Sequence, residues 1–389
     1  MKASFINTAA LATLALILIT TFTVVASGGG NGGGGGGGLR ELYAQPVEQW
    51  PEPHVDEGIG WQEFGHLPRP PHPEDNPHSD EKAELGKLLF FDGRLSATGQ
   101  MACISCHAPE LGWADGRTTS LGHSVTALRR NAPSIANAAH FDALFWDGRG
   151  DSIEQQVELA LLNVDEMRGS RDAIVDLVRS STEYRDRFAE AFAEDPIQFE
   201  HITKAIATYV RTVNSGRSDF DRFLNGETDR LTDAELRGLH LFRTKARCMN
   251  CHHGPLLSDG EFHDLGLSYY GRRLEDLGRY RITDKPEDVG RFRTPSLRNV
   301  TRTAPYMHNG LFGLEGVINM YNAGMATLRP RPEQENDPLF PTKSPLLKPL
   351  DLDRQEMDDL MAFLESLQEP RRRVRQPELP AIDQTQANN

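Results

Sequence analysis

The chain has 389 residues, 38% of them hydrophobic and 25% charged, with a formal net charge of −14. That length and apolar content suffice for two or three domains with ordinary cores and exclude wholesale disorder. The acidic balance excludes the wrapping of a nucleic-acid backbone as the main task, and a single long apolar run excludes a polytopic membrane protein.

That run, Ala9–Ala26, follows Lys2 and ends in Val24-x-Ala26, which reads as a secretory signal or N-terminal anchor over 1–27. No cysteine lies near it, so lipid attachment there is excluded. Residues 28–78 begin as almost pure glycine and become rich in Pro and His, and they read as a solvated linker, with His54, His66, His72 and His78 among its surface residues. Ser79, Asp80 and Glu81 start a helix that runs through Leu85, Leu88 and Leu89. Residues 171–194 and 199–224 carry apolar positions at helical spacing. Thr232 with Glu235 forms a capping box for a helix through Leu236, Leu239 and Phe242. Residues 371–389 start with arginines and end in a polar stretch, as a disordered tail would. Alternating strand patterns are scarce, so the expected class is all-α with long loops.

Self-comparison adds an internal duplication. Gly86-Lys-Leu-Leu-Phe90 and Gly238-Leu-His-Leu-Phe242 each precede a cysteine pair. Downstream, Pro133-Ser-Ile and Pro295-Ser-Leu are followed at equal distance by Trp146-Asp-Gly and His308-Asn-Gly. Two similar domains, 79–224 and 225–370, account for these matches.

The four cysteines form Cys103-Ile-Ser-Cys106-His107 and Cys248-Met-Asn-Cys251-His252. Two thiols at i and i+3 reach the two vinyl groups of a haem, and the next histidine offers a nitrogen to its iron. A four-cysteine zinc site is disfavoured because the pairs lie far apart in sequence, and a thioredoxin-like pair lacks its βαβ setting. Two covalent c-type haems follow, with His107 and His252 as proximal ligands. For the second iron, the helix after His308-Asn-Gly offers Met320, Tyr321 and Met325; adjacent helical residues diverge by about 100°, so Met320 and Tyr321 cannot both face it. Aligning the two halves with a one-residue gap sets Ala160 against Tyr321, and alanine cannot ligate, so the first haem has the open distal face. Gln156, Glu158 and Glu166 fall near that face. A carboxylate in a partly dry pocket can move a proton between peroxide oxygens, and an amide can orient it.

These residues resemble the bacterial di-haem cytochrome c peroxidase family, including its MauG-like branch. The matching blocks, from LGKLLFFDGRLSATGQMACISCH through FWDGRGDSIEQQ and CMNCH to FRTPSLRNVTRTAPYMHNG, cover roughly residues 79–370. The resemblance implies two cytochrome c-like haem domains in a periplasmic enzyme. The N-terminal haem would be peroxidatic and the C-terminal haem would transfer electrons. It also implies Glu166 as the catalytic glutamate, Gln156 as its partner and Trp146 as the residue between the haems. His123 would be the loop ligand that caps the resting first iron. Asn131, Thr303 and the carbonyl of Pro305 would bind calcium. Tyr321 stands where the better-known peroxidases carry methionine and MauG-like members carry tyrosine; a hard phenolate favours the higher oxidation states of iron, whereas a thioether favours Fe(II).

The expected activity is reduction of hydrogen peroxide to water with electrons from a small cytochrome c or cupredoxin. The alternatives are MauG-like oxidation of residues on a partner protein, or a di-haem electron carrier or redox sensor without turnover. No nucleic-acid partner is expected. A membrane tether and a homodimer stay open.

Overall fold

The computed structural model describes residues 36–192, 197–371 and 373–383. The signal or anchor expectation for 1–27 lies outside them. Eleven α-helices occur among the described residues. They are α1 Gly36–Tyr43, α2 Asp80–Phe91, α3 Ile153–Leu162, α4 Arg171–Arg179, α5 Thr182–Ala191, α6 Phe199–Arg211, α7 Asp219–Leu224, α8 Asp233–Arg243, α9 Tyr280–Thr283, α10 Leu314–Asn322 and α11 Arg354–Ser366. One antiparallel pair, β1 Phe262–Asp264 with β2 Arg291–Arg293, joins Phe262 to Arg293 and Asp264 to Arg291. The molecule is thus helix-rich with few strands, and long loops make up the remainder.

Local chemistry starts several helices where the sequence places them. Ser79 accepts from the Lys82 N–H at 3.2 Å, and Ser152 accepts from Gln155 at 3.1 Å. Thr232 and Glu235 close their reciprocal box, with the Thr232 N–H donating to the Glu235 carboxylate at 2.6 Å. The long periodic stretches are each interrupted. Ser181 caps a new helix by accepting from Tyr184, which divides 171–194 into α4 and α5. A loop containing Gly216, at φ +137°, and the Ser218–Asp221 capping box divide 199–224 into α6 and α7.

Two hydrophobic clusters form. The first packs α2 against α6 around Leu85, Leu89, Phe90, Ile202 and Ile206, with α3, α4 and α5 around them. The second packs α8 against α11 around Leu236, Leu239, Phe242, Leu360 and Phe363. Each crossing is close because a glycine lies at the contact: a Cβ on Gly86 would overlap the Ala205 carbonyl, and one on Gly238 the Asp359 carbonyl. Gly86→Ala is therefore expected to destabilise the holoprotein by about 1–3 kcal/mol through overpacking, read as a lowered Tm.

Two stretches differ from their expected disorder. Residues 36–78 are pinned at intervals: Tyr43, Trp50 and Phe64 are buried in the second cluster, while His54, His66 and His78 lie exposed. Fully buried Arg243 pairs with Glu63 and donates to the Pro51 carbonyl at 2.7 Å. The aromatic residues override the Pro-rich composition because each hides a large apolar surface. The C-terminal residues 373–383 run back to the first cluster, where Val374 and Leu379 pack. The Asp383 N–H donates to the Ser180 carbonyl at 2.9 Å, and Asp383 accepts from Thr182 at 2.8 Å.

Candidate functional site

Each Cys-x-x-Cys-His segment is a short turn of 3-10 helix, Cys103–Ser105 and Cys248–Asn250, that carries its cysteines to the wall of a cavity. All four thiols are free and half-buried. The two histidines are held alike. His107 Nδ1 pairs with the Trp113 carbonyl at 3.1 Å and His252 Nδ1 with the Leu257 carbonyl at 3.0 Å. A backbone carbonyl accepts only from an N–H, so both rings carry their proton on Nδ1 and leave Nε2 as the ligating nitrogen. Burial lowers both histidines below their usual range, which keeps the imidazole neutral. Paired free thiols, a tautomer set for ligation and a mainly apolar cavity fit a covalently attached haem at each motif.

The first cavity is bordered by Cys103, Cys106 and His107, by Met101, Met167 and Val157, and by Gln156, Ala160, Asn163 and Glu166 from α3 and the loop after it. Gln156 and Ala160 share one helix face, and Glu166 is brought back to it by a turn in which its N–H donates to the Asn163 carbonyl at 3.1 Å. The Glu166 carboxylate accepts from Asn163 Nδ2 at 3.0 Å and lies 3.7 Å from Arg149 Nη2. Burial raises Glu166 above the usual carboxylate range, while Arg149 and Asn163 pull it down and Asp165 adds to the rise. Glu158 does not border the cavity; it faces outward to Arg171.

The second cavity is bordered by Cys248, Cys251 and His252 and, from α10, by Val317, Ile318 and Tyr321. Met320 and Met325 do not border it. Burial raises the Tyr321 phenol well above its usual range, with Cys251, Cys248 and Asp259 adding to the rise. Trp146 borders both cavities, as do Asn131, Ala132 and Pro133. Its indole N–H donates to the Asn131 carbonyl at 2.9 Å, and the Asn131 N–H donates to the His308 carbonyl at 2.8 Å.

The residues expected to cap the first iron and to bind calcium lie in segments that border the cavities. His123 does not border the first cavity. Its backbone N–H is tied to the Asp165 carbonyl at 2.9 Å, and the chain turns sharply at Ser124 and Val125, with φ of +55° and +61°. Leu121, Gly122 and Leu128 of the same loop do border the cavity, and His123 Nδ1 is buried without a hydrogen-bond partner. Asn131, Thr303 and Pro305 all border the second cavity, and Asn131 spends its Nδ2 on the Arg117 carbonyl at 2.7 Å, leaving Oδ1 as its acceptor. Among the described residues the sole cluster of three ligand-bearing side chains is Cys251, Asp259 and His263.

Sequence reasoning missed a charged chain beside the first cavity. Asp147 is buried and accepts from Arg149 at 3.0 Å and from Arg130 at 2.6 Å; Arg130 also forks onto Asp276 at 2.7 and 2.8 Å. Burial opposes ionisation of Asp276, but the hydrogen bond and charge of Arg130 outweigh it and hold Asp276 at about 2. The Trp146-Asp-Gly block contained the local half of this chain; Asp276 lies too far along the sequence for any local pattern to pair it.

The family model of the di-haem cytochrome c peroxidases matches residues 80–229. The chain is 40% identical over 331 residues to the cytochrome-c peroxidase IdrP1 of Pseudomonas sp. (strain SCT), covering 77% of this chain and 84% of that protein. It belongs to the di-haem cytochrome c peroxidase family. The methylamine utilization protein MauG of Methylorubrum extorquens is 39% identical over 314 residues, covering 80% of this chain and 84% of that protein. The crystal structure of a MauG-like protein associated with microbial copper homeostasis superposes with a TM-score of 0.71 at 37% identity, covering 80% of this chain and 95% of that one. The family is one of two c-type haems, which matches the two cysteine motifs and their cavities.

Proposed function

We propose that the protein reduces hydrogen peroxide to water, H2O2 + 2 H+ + 2 e− → 2 H2O, at the first cavity. Two one-electron donors, a small cytochrome c or cupredoxin, deliver electrons at the second. The observation that carries this reading is the shared wall: Trp146 borders two cavities, each built on a cysteine pair and a neutral histidine, and only the first also presents Glu166 with Gln156. Bound haem supplies a redox-active iron in each cavity. Glu166 accepts a proton from one peroxide oxygen and returns it to the other, Gln156 orients the peroxide through its amide, and His107 and Tyr321 hold the metals from the protein side. A mere electron carrier has no use for such a carboxylate.

In this reading 79–224 and 225–370 are duplicated haem domains, each with a glycine at a close helix crossing, while Phe220 and Phe223 at the end of the first pack into the cluster of the second. Calcium at Asn131, Thr303 and Pro305 would steady the wall shared by the cavities, and it carries no step. The enzyme is exported to the periplasm, where covalent haem attachment takes place; no helix among the described residues is long and apolar enough to cross a membrane.

The test is steady-state peroxide consumption by protein matured with both haems, with Trp146→Phe beside it. Phenylalanine keeps an aromatic wall but loses the indole N–H bond to Asn131. The expected result is slowed electron delivery to the first cavity by about tenfold, equal to about 1.4 kcal/mol of barrier, with unchanged peroxide binding. Stopped-flow traces in which delivery keeps its wild-type rate would remove Trp146 from the path, and absence of any peroxide consumption by the wild-type holoprotein would end the peroxidase reading.

A further inference from the structure

We infer that Arg149 is a positioning residue for Glu166, aiming its carboxylate into the first cavity from a support that runs through Asp147 and Arg130 to Asp276. This inference rests on the role proposed for Glu166. Arg149 ends a tight turn in which the Leu144 N–H donates to the Gly150 carbonyl at 2.8 Å, and the positive φ of Gly148 lets the chain reverse beneath it. Its guanidinium is held on two sides. One edge lies on the buried Asp147 carboxylate, with Nη1 donating at 3.0 and 3.3 Å. The face is stacked on Phe145, with its carbon 3.5 Å from the ring centroid. Nη2 lies 3.7 Å from Glu166 Oε1.

The support continues beyond Arg149. Asp147 is itself pinned by Arg130, whose fork is closed by Asp276 from the loop before α9. A planar guanidinium fixed in this way loses little freedom when it meets a carboxylate, which distinguishes it from a surface arginine searching solvent. Few other charges compete at Glu166. Asp165, its neighbour on the same loop, opposes ionisation, and Cys106 from the haem-binding segment is uncharged once joined to haem. Asn163 contributes a neutral N–H at 3.0 Å. Arg149 is the cation that partly offsets the burial of Glu166, so its removal raises the carboxyl further and favours the protonated form, which cannot accept a proton from peroxide.

The test uses holoprotein carrying Arg149→Gln, Arg149→Lys or Glu166→Gln, with a small-molecule reductant so that donor docking plays no part. Haem content and thermal melting establish that each variant is folded. In Arg149→Gln, kcat/KM for peroxide should fall about tenfold on the acidic side of the profile and less than about threefold on the alkaline plateau; Lys should restore most of the acidic side. Infrared difference spectra give a reading independent of turnover. The protonated carboxyl band that vanishes in Glu166→Gln should persist to higher pH in Arg149→Gln than in the wild type. An unmoved acidic limb together with an unmoved band would overturn the inference while leaving the role of Glu166 intact, and wild-type turnover by Glu166→Gln would overturn both.

Discussion

Glu166→Gln is expected to leave both haems attached and to slow peroxide turnover by about a hundredfold or more, within the range that a positioned acid–base group contributes. The substitution is nearly isosteric. It keeps an acceptor oxygen for Asn163 Nδ2, now at 3.0 Å, and leaves the cavity wall in place. What it removes is the ability to take a proton from one peroxide oxygen and return it to the other. In the wild type, burial raises the Glu166 carboxyl, so turnover should fall on the acidic side at a higher pH than an ordinary glutamate would give. The direction follows from the required form: the carboxylate must be empty to act as acceptor, and protonation at low pH fills it. In Glu166→Gln that acidic limb should disappear. A variant that consumes peroxide at the wild-type rate, or one that keeps the limb, would remove Glu166 from the proton path.

Tyr321→Phe is expected to change the spectrum of the second haem and to raise its potential by on the order of 100 mV, against the roughly 0.8 V over which axial ligands tune haems. Met320→Leu should do neither, because Met320 does not border the second cavity. The reasoning is electrostatic. Burial, with Cys251, Cys248 and Asp259 nearby, opposes ionisation of the Tyr321 phenol. Only a bond to a metal ion would drive the proton off in that setting, and a phenolate then stabilises the oxidised metal. Loss of the hard oxygen removes that stabilisation. Spectroelectrochemistry of the two variants separates the cases; a shift in Met320→Leu with none in Tyr321→Phe would reverse the assignment. A phenolate-stabilised second haem would also hold oxidising equivalents longer, so the lifetime of the peroxide-oxidised protein bears on the MauG-like alternative.

Short-range chemistry was readable along the chain. The Cys-x-x-Cys-His segments, the serine and threonine helix caps and the apolar stripes of α2, α6 and α8 are local patterns whose consequences stay within a few turns. That Tyr321 and not Met320 borders the second cavity was partly readable because an internal alignment can register one half against the other. Choosing Glu166 over Glu158, and placing Trp146 between the haems, depended on the resemblance, since a lone glutamate or tryptophan has no distinguishing local signature. The segment of residues 36–78 was misread in part because Pro, Gly and His dominate its composition, while three separated aromatics, Tyr43, Trp50 and Phe64, pin it to the second cluster.

The amino-acid order by itself determined two haem-attachment sites, a helical class and the duplicated punctuation of Gly86 with Gly238. Those features rest on spacing within one or two turns, where backbone geometry leaves few alternatives. The tertiary structure alone decided that Trp146 borders both cavities and that Arg149 is braced through Asp147 and Arg130 on Asp276. Those relations join residues from distant stretches of chain. Charges and aromatic rings so far apart in sequence acquire partners only when two hydrophobic clusters have closed around them and set the distances that make their interactions strong.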